Sequence, residues 1–586
     1  MMKKHYLQQS FIFFLLIIVQ SNLLSQPLAF ENDLDNKPSA IVRKYLSPVK
    51  IVWASGNELV ENSHLLLVKG NRQAELTTGT CLKLKSGEAD LGGIILDFGT
   101  EIQGGIQIIT TRRNPNPVGR VRIRFGESVS ETMSEVGKQG ATNDHAMRDQ
   151  IVVLPWLGSI EVGNSGFRFV RIDMVDPNAT IEIEEINAIM NYRNIPYLGS
   201  FNSNDDRLNK IWKTGAYTVH LNMQEYLWDG IKRDRLVWVG DLHPEVMTVS
   251  TVFGYNEVVN KSLDLIRDIT PLPSWMNGIS SYSMWWVLIH RDWYYYQGDL
   301  AYLKQQKDYL SGLIRLLASK IDESGKENLD GWRFLDWPST PNQKAIHAGL
   351  QSLMVMTFKA GVDLSKVLND KETTDICLSA LAKLKKHTPE ITESKQAAAL
   401  LALSNIVSPE MINEKVLSQN GVHNMSTFFG YYMLNARAEA GDVAGAMDNI
   451  REYWGAMLDI GATTFWEGFN IEWMENAARI DEIIPEGKID IHSARGEYCY
   501  EGFRHSFCHG WASGPTAWLS RYVLGVEPLK PGCREVGIKP NLGNLEWVEG
   551  TFPTPLGVIK IKHTKQANGT IKSEIDAPRG VKIIRR

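Results

Sequence analysis

The periodicity of the hydrophobic residues changes twice along the chain, and that change constrains the fold more than any single motif. From about residue 35 to 195, apolar positions alternate in short runs closed by turn signals: Gly92-Gly93-Ile94-Ile95-Leu96-Asp97-Phe98-Gly99, Gly104 to Ile109, and Val121 to Phe125. Strand side chains point alternately to opposite faces, so period-two runs broken by glycine predict antiparallel strands, here enough for a β-sandwich. Phe167 to Ile172 and Ile181 to Ile183 extend the pattern. After Ser200 the period lengthens to that of a helix, as in Arg207 to Met223, Glu245 to Asp268, Leu300 to Ile321 and Val443 to Ile460. The helical region is too long for one bundle and fits an α/α toroid or a superhelical array; no repeat of roughly 30–40 residues is visible, which argues against the array. From about Gly525 short strands return at Val536 to Pro540, Trp547 to Gly550 and Gly557 to Ile561, predicting a small all-β domain. A chain of 586 residues exceeds what one core sustains. The expected division is a β-sandwich over 35–195, a helical domain over 196–525 and a β domain over 526–586.

The N-terminus has the three-part form of an export signal: Lys3 and Lys4, an apolar run from Phe11 to Val19, and a polar segment from Ser21 to Gln26. That run is shorter than the roughly 20 residues a spanning helix needs. Residues 1–26 are therefore expected to be a signal peptide, leaving no stable membrane span after cleavage. Export to the periplasm of a Gram-negative bacterium is the preferred location, with secreted or outer-surface placement open. A net charge of −5 without a basic stretch beyond Lys3-Lys4 excludes the phosphate-neutralising surface of a nucleic-acid binder. Five cysteines, Cys81, Cys377, Cys499, Cys508 and Cys533, are too scattered for a disulfide scaffold. Cys499 and Cys508 could pair; the alternative is that all five are buried small apolar residues. Without CxxC or HExxH, a structural zinc or zincin site has no support.

Fourteen of the 17 tryptophans fall between residues 196 and 525, several beside a carboxylate or histidine, as in Asp336-Trp337, Trp466-Glu467 and His509-Gly510-Trp511. Sugars offer apolar C–H faces that pack on aromatic rings and hydroxyls that carboxylates bind, so the pairing suits a saccharide pocket. Large helical domains also bury tryptophans in their cores, so the group carries more weight than any one ring.

The densest polar segment is Asp229-Gly230-Ile231-Lys232-Arg233-Asp234-Arg235-Leu236-Val237-Trp238-Val239-Gly240-Asp241. Its glycines predict a loop between helices that can aim several side chains into one pocket. Three carboxylates among two arginines can keep one group protonated while others stay ionised; a surface salt-bridge loop is the competing reading. Glycosidic hydrolysis needs two carboxyl groups flanking one bond, and Glu467, in Gly461-Ala462-Thr463-Thr464-Phe465-Trp466-Glu467-Gly468-Phe469, is the best partner for that cluster.

Together these segments resemble the helical-toroid α-L-rhamnosidases, glycoside hydrolase family 78. Asp229-x-x-x-Arg233-Asp234-Arg235-x-x-Trp238-x-Gly240-Asp241 resembles the family's signature loop. Gly461 to Glu467 resembles its Gly-Ala-Thr-Thr-x-Trp-Glu segment, and Cys508-His509-Gly510-Trp511 its Cys-His-Gly/Ala-Trp element. Leu198 to Phe201, Leu96 to Gly99 and Arg521 to Val526 resemble the start of the catalytic domain, a strand of the preceding β domain and the passage into the C-terminal one. The resemblance implies a multidomain α+β chain: an N-terminal β-sandwich, a central (α/α)6 toroid and a small C-terminal β-sandwich. It places Asp234 as general acid and Glu467 as the base that activates water. Asp229, Trp238, Asp241 and His509 are implied to line the sugar pocket, with Trp337 and its neighbour Asp336 a further match and Trp286 a weaker one. Two departures stand out: Asp234 where many members have Glu, and Gly230-Ile231-Lys232 where Cys-Pro-Gln is common.

The implied reaction is single-displacement hydrolysis with inversion, releasing terminal α-L-rhamnose from a rhamnose-containing oligo- or polysaccharide, the two carboxyls being roughly 6.5–9.5 Å apart. No cofactor is required; calcium stays open, although no Asp-rich calcium loop is evident. The alternatives are another toroid sugar enzyme, such as a glucuronyl hydrolase or polysaccharide lyase, and a non-catalytic sugar-binding protein. A lyase would more naturally use Tyr or His as base than a paired Asp and Glu.

Overall fold

The computed structural model describes residues 40–76, 79–111, 119–498 and 500–586, and residues 43–586 pack as one compact unit. The N-terminal apolar run and Cys499 lie outside the described residues. Among those described, no helix is long and apolar enough to cross a membrane, and Cys81, Cys377, Cys508 and Cys533 are buried free thiols.

The N-terminal region is antiparallel sheet. Its main path runs Val60–Glu61, Leu82–Lys85, Thr180–Arg193, Gly93–Thr110, Gly158–Met174, Arg120–Gly126, Asp149–Val153. The runs at 92–99 and 104–109, read in the sequence as separate strands, are one strand, Gly93–Thr110. It changes partner along its length: residues 94–97 pair with Lys50–Ala54, whereas 104–110 pair with Thr180–Arg193. Register shifts between Asp97 and Ile102 and between Gly104 and Ile106 mark the change, since an extra residue bends a strand and lets it leave one layer for another. The alternating apolar residues Ile94, Leu96, Ile106, Ile108, Val170 and Ile172 are fully buried and form the core of this region.

The helical region closes into a ring. Leu242–Val252, Ser280–Gln297, Gln343–Val367, Lys395–Leu403, Gly430–Glu439 and the segment 514–523 each touch the next, and Gly514–Trp518 touches Leu242–Val252 again. Each is preceded by an outer helical segment: Asp206–Asn222, Glu257–Asp268, Lys307–Ser319, Lys371–Leu384, 409–417 and 443–459. Burial separates the two rings. Every residue of Leu242–Val252 is buried, whereas Glu257–Asp268 buries only Val258, Val259, Ser262, Leu263 and Ile266 along one stripe. The outer starts are fixed by side-chain caps, Asp205 accepting from Leu208 N and Asp370 from Thr373 N, each worth about 1 kcal/mol. The expected single helix over 245–268 is two. Gly254, at φ 75°, turns the chain out of the inner helix, and Asn256 caps the outer one.

The C-terminal region has a three-stranded sheet, Val526–Pro528, Glu535–Ile538 and Lys582–Arg585, and a four-stranded one built on Trp547–Thr554, Gly557–Lys565 and Ile571–Asp576. The fourth strand of the latter is Ser200–Ser203, paired Ser200↔Thr551 through Ser203↔Val548. The start of the helical region is thus stitched to the end of the chain.

Candidate active site

The three segments singled out in the sequence are hydrogen-bonded to one another. Gly510 N donates to Asp229 O at 2.8 Å, His509 N to Phe465 O at 2.9 Å and Glu467 N to Ser506 O at 3.0 Å. Gly230 forms a bridge with His509. Gly510 has a packing reason: a Cβ there would lie 2.1 Å from the carboxyl carbon of Glu245.

Asp229, Asp234, Trp238, Asp241, Trp337, Glu467 and His509 border one cavity of about 240 Å³. Asp336 does not; it is buried on the wall of an adjoining chamber, accepting from Ser339 Oγ at 2.6 Å and Ser426 Oγ at 2.8 Å. Trp286 is a core residue, fully buried with its Nε1 donating to Leu263 O. Most tryptophans are core as well, among them Trp285, Trp454 and Trp518. The rings on the pocket are Trp238, Trp332, Trp337 and Trp511.

Glu467 is the most tightly held carboxylate. Arg233 Nη2 donates to Oε1 at 2.6 Å and to Oε2 at 2.7 Å, while Thr427 Oγ1 and Trp511 Nε1 donate to its backbone oxygen at 2.5 and 2.8 Å. Burial works against the charge of Arg233, but Glu467, Tyr500 and Asp234 together raise its pKa, and its guanidinium lies 4.3 Å over the ring of Tyr500. The same guanidinium reaches Asp234 Oδ1 through Nη1 at 3.4 Å. Asp234 also accepts from Trp238 Nε1 at 3.2 Å. Its side chain is 19% exposed against 1% for Glu467, so it is the carboxylate nearer solvent.

Asp229 and Asp241 lie deeper. Burial, and after it the neighbouring acids, raises both pKa values well above the usual carboxylate range; the N–H of Leu236 on Asp229 and the hydroxyl of Tyr282 on Asp241, at 2.9 and 2.6 Å, oppose this. His509 Nε2 faces three acids, 3.4 Å from Glu467, 3.8 Å from Asp229 and 3.9 Å from Asp241. Burial, then Arg233, pushes its pKa well below 6.5, so the ring is neutral. The pocket thus pairs one fixed ion pair with polar groups that can donate to or accept from sugar hydroxyls.

The loop that carries Asp234 is clamped by the N-terminal sheet region. Ile231 is buried in that region's core and gives its carbonyl to Gly166 N. Lys232 places its ammonium 2.9 Å from Glu127, 3.4 Å from Glu131, and within 3.0 and 2.6 Å of the carbonyls of Phe503 and His505. Burial lowers its pKa, but Glu127 and Glu131 outweigh that and raise it. Glu127, Glu131 and His492 have the spacing of a cation cage, and the Lys232 ammonium lies against both carboxylates of that cage. Glu127 also accepts from Phe507 N at 2.6 Å, so Lys232 ties the Asp234 loop to the irregular segment 503–507, whose Ser506 oxygen accepts from Glu467 N. Asp234 and Arg235 adopt φ of 54° and 55°, a left-handed turn costly for branched or bulky residues. His145 Nδ1 accepts from Asp234 N at 3.2 Å, and Arg235 Nη2 donates to His145 O at 2.5 Å, holding that turn.

Several of these residues carry no distinct sequence signal. Arg233 stands inside the signature loop, yet pairing with Glu467 is visible only in three dimensions. Tyr282, Tyr500, Arg504 and Phe334 border the pocket from distant segments, and His145 reaches Asp234 from the N-terminal region.

The sequence pattern of the bacterial alpha-L-rhamnosidase 6 hairpin glycosidase domain matches residues 196–523, and that of the bacterial alpha-L-rhamnosidase C-terminal domain matches residues 525–584. An alpha-L-rhamnosidase of Alteromonas sp. (strain LOR) is 23% identical over 533 residues, 81% of this chain and 54% of that protein. One of Formosa agariphila is 21% identical over 491 residues, 75% of this chain and 49% of that protein. The chain thus spans about half the length of these curated relatives. Among solved structures, the GH78 rhamnosidase of Bacillus sp. GL1 superposes with a TM-score of 0.71 at 22% identity, covering 87% of this chain and 55% of that one. A rhamnosidase from Klebsiella oxytoca with rhamnose bound gives 0.64 at 19% identity, covering 82% of this chain and 96% of that one. At these identities the structural likeness is one of fold. The matched pattern covers more than half of the sequence: the chain belongs to the bacterial alpha-L-rhamnosidase family of 6 hairpin glycosidases.

Proposed function

We propose that the protein is a glycosidase that releases terminal α-L-rhamnose from an oligo- or polysaccharide with inversion, Asp234 acting as general acid and Glu467 as general base. The carrying observation is that one guanidinium, Arg233, touches both carboxylates on the wall of an aromatic-lined pocket. A guanidinium donating to both oxygens holds Glu467 as a carboxylate, the form that accepts a proton. In the proposed step Asp234 gives its proton to the glycosidic oxygen as the bond to C1 breaks. Glu467 takes a proton from a water whose oxygen attacks C1 from the opposite face. Asp229, Asp241 and His509 hold the sugar hydroxyls, and Trp238 and Trp337 pack on its apolar faces. The scheme requires no cofactor. Export, with the periplasm preferred, and cleavage of residues 1–26 belong to the same reading, as does the division into domains at 35–195, 196–525 and 526–586.

The test is release of free L-rhamnose from a panel of rhamnosides and rhamnose-containing oligosaccharides by wild type, Glu467→Gln and Asp234→Asn. Both variants should lose roughly 10²–10⁴-fold. Absence of rhamnose from every substrate with folded protein overturns the assignment.

A further inference from the structure

A second chamber, about 400 Å³, adjoins the pocket. The two share Trp337, Glu467, Tyr500 and Trp511, and Trp337 Nε1 donates to the Tyr500 hydroxyl at 3.1 Å, so these two side chains form part of the partition. The space is far larger than the ~30 Å³ of one water and falls within the ~300–1,000 Å³ of small-molecule sites.

Its lining has one chemical character. Phe428, Phe469, Trp473 and Tyr498 supply rings, while Asn342, Gln396, Asn424 and Asn470 supply amides. Asp336, Glu393 and Glu497 add carboxyl groups, and neither lysine nor arginine stands among the described lining residues. Its histidine, His505, is pushed down to about 3 by burial and carries no charge at neutral pH. Rings and amides with acids and no cation suit an uncharged pyranose, whereas a carboxylate or sulfate would meet like charge without a counter-ion.

Position decides which part of a substrate reaches the chamber. Asp234 borders the small pocket and not the chamber, while Glu467 borders both. The leaving group must sit where Asp234 can protonate its oxygen, so the chamber, on the Glu467 side, faces the part of the substrate that stays with the cleaved sugar.

We infer that this chamber is a subsite for an uncharged sugar branch carried on a ring hydroxyl of the rhamnosyl residue, so that the enzyme accepts branched as well as terminal rhamnose. The inference rests on the rhamnosidase reading. The branch linkage stays intact: Asp234 protonates the departing oxygen as its bond to C1 breaks, water adds at C1 while Glu467 takes its proton, and the product is the disaccharide of branch sugar and rhamnose.

The test uses p-nitrophenyl glycosides of L-rhamnose, of hexosyl-L-rhamnose and of glucuronosyl-L-rhamnose, with the branch at O2, O3 or O4, and follows p-nitrophenol release. For at least one position, the hexosyl substrate should keep kcat/KM within about 10-fold of the unbranched one, and its glucuronosyl counterpart should fall at least 10-fold further. Trp473→Ala should depress the hexosyl substrate alone. Glu497→Lys, at an exposed position, should narrow the gap between hexosyl and glucuronosyl substrates and leave the unbranched one unchanged. Turnover of the unbranched glycoside with none of any branched one overturns the subsite and leaves the rhamnosidase reading standing. No turnover of the unbranched glycoside overturns that reading instead.

Discussion

The two proposed catalytic carboxylates are held in opposite ways. Glu467 is fixed from within the helical ring: Arg233 grips both oxygens, and Thr427, Ser506 and Trp511 fix its backbone. Asp234 is fixed from outside the ring, on a left-handed turn that His145 and the Lys232 anchor hold against the N-terminal sheet region. The base is a matter of buried charge, an ion pair between residues 234 apart in the chain. The acid depends on a neighbouring region that no motif announces, so the N-terminal region acts as part of the site.

The comparison breaks most visibly at Arg233. Arg233→Gln leaves Glu467 buried without its ion pair, a loss of about 3–5 kcal/mol for a buried pair missing one partner. A fall in kcat of roughly 10³-fold or more is expected by steady-state kinetics, while Arg235→Gln, at a half-buried position that contacts the carbonyls of Asn164 and His145 rather than Glu467, should cost less. At the Asp234 side, Lys232→Met strands Glu127 and Glu131 in the interior and should destabilise by about 3 kcal/mol in urea unfolding. Lys232→Arg should recover part of it. If Lys232→Met leaves both stability and kcat intact, the N-terminal region is not what sets Asp234.

A smaller effect comes from Glu245, fully buried behind Asp241 and Asp229 with no hydrogen-bond partner at either oxygen among the described residues. Burial, then those two acids, raises its pKa well above the ordinary 4.5. A carboxyl whose folded pKa is raised loses stability as pH climbs past its unfolded value, because the native state then holds a proton the unfolded chain has released. Glu245→Met should therefore raise the melting temperature, by about 1–3 kcal/mol of stability, with the difference growing from pH 5 to pH 8. A difference that shrinks with pH would reverse the sign. The smallest effect is at Trp238, whose Nε1 donates to Asp234. Trp238→Phe keeps a ring and removes that bond, so kcat/KM should fall about 3–10-fold, in line with the net ~1 kcal/mol of an ordinary hydrogen bond.

What the sequence showed follows from how local each feature is. The change of period at Ser200 and the buried face of Glu257–Asp268 rest on residues a few positions apart. Pairing of Ser200–Ser203 with Trp547–Thr554 joins residues about 350 apart and leaves no periodic trace. The same holds at the site. Asp229, Asp234, Trp238 and Asp241 sit on one loop and read together, while Tyr282 on Asp241 and His145 on Asp234 come from segments whose own composition says nothing of the pocket. In the sequence Lys232 reads only as part of a departure from the family pattern. Its burial against Glu127 and Glu131 needs partners a hundred residues upstream.

The central claim, two carboxylates on opposite faces of one bond with a water between Glu467 and C1, is tested most directly by proton NMR of the first sugar released from p-nitrophenyl α-L-rhamnoside. The account predicts β-L-rhamnose before mutarotation. α-L-Rhamnose as the first product would contradict it, because retention requires a carboxylate to attack C1 itself.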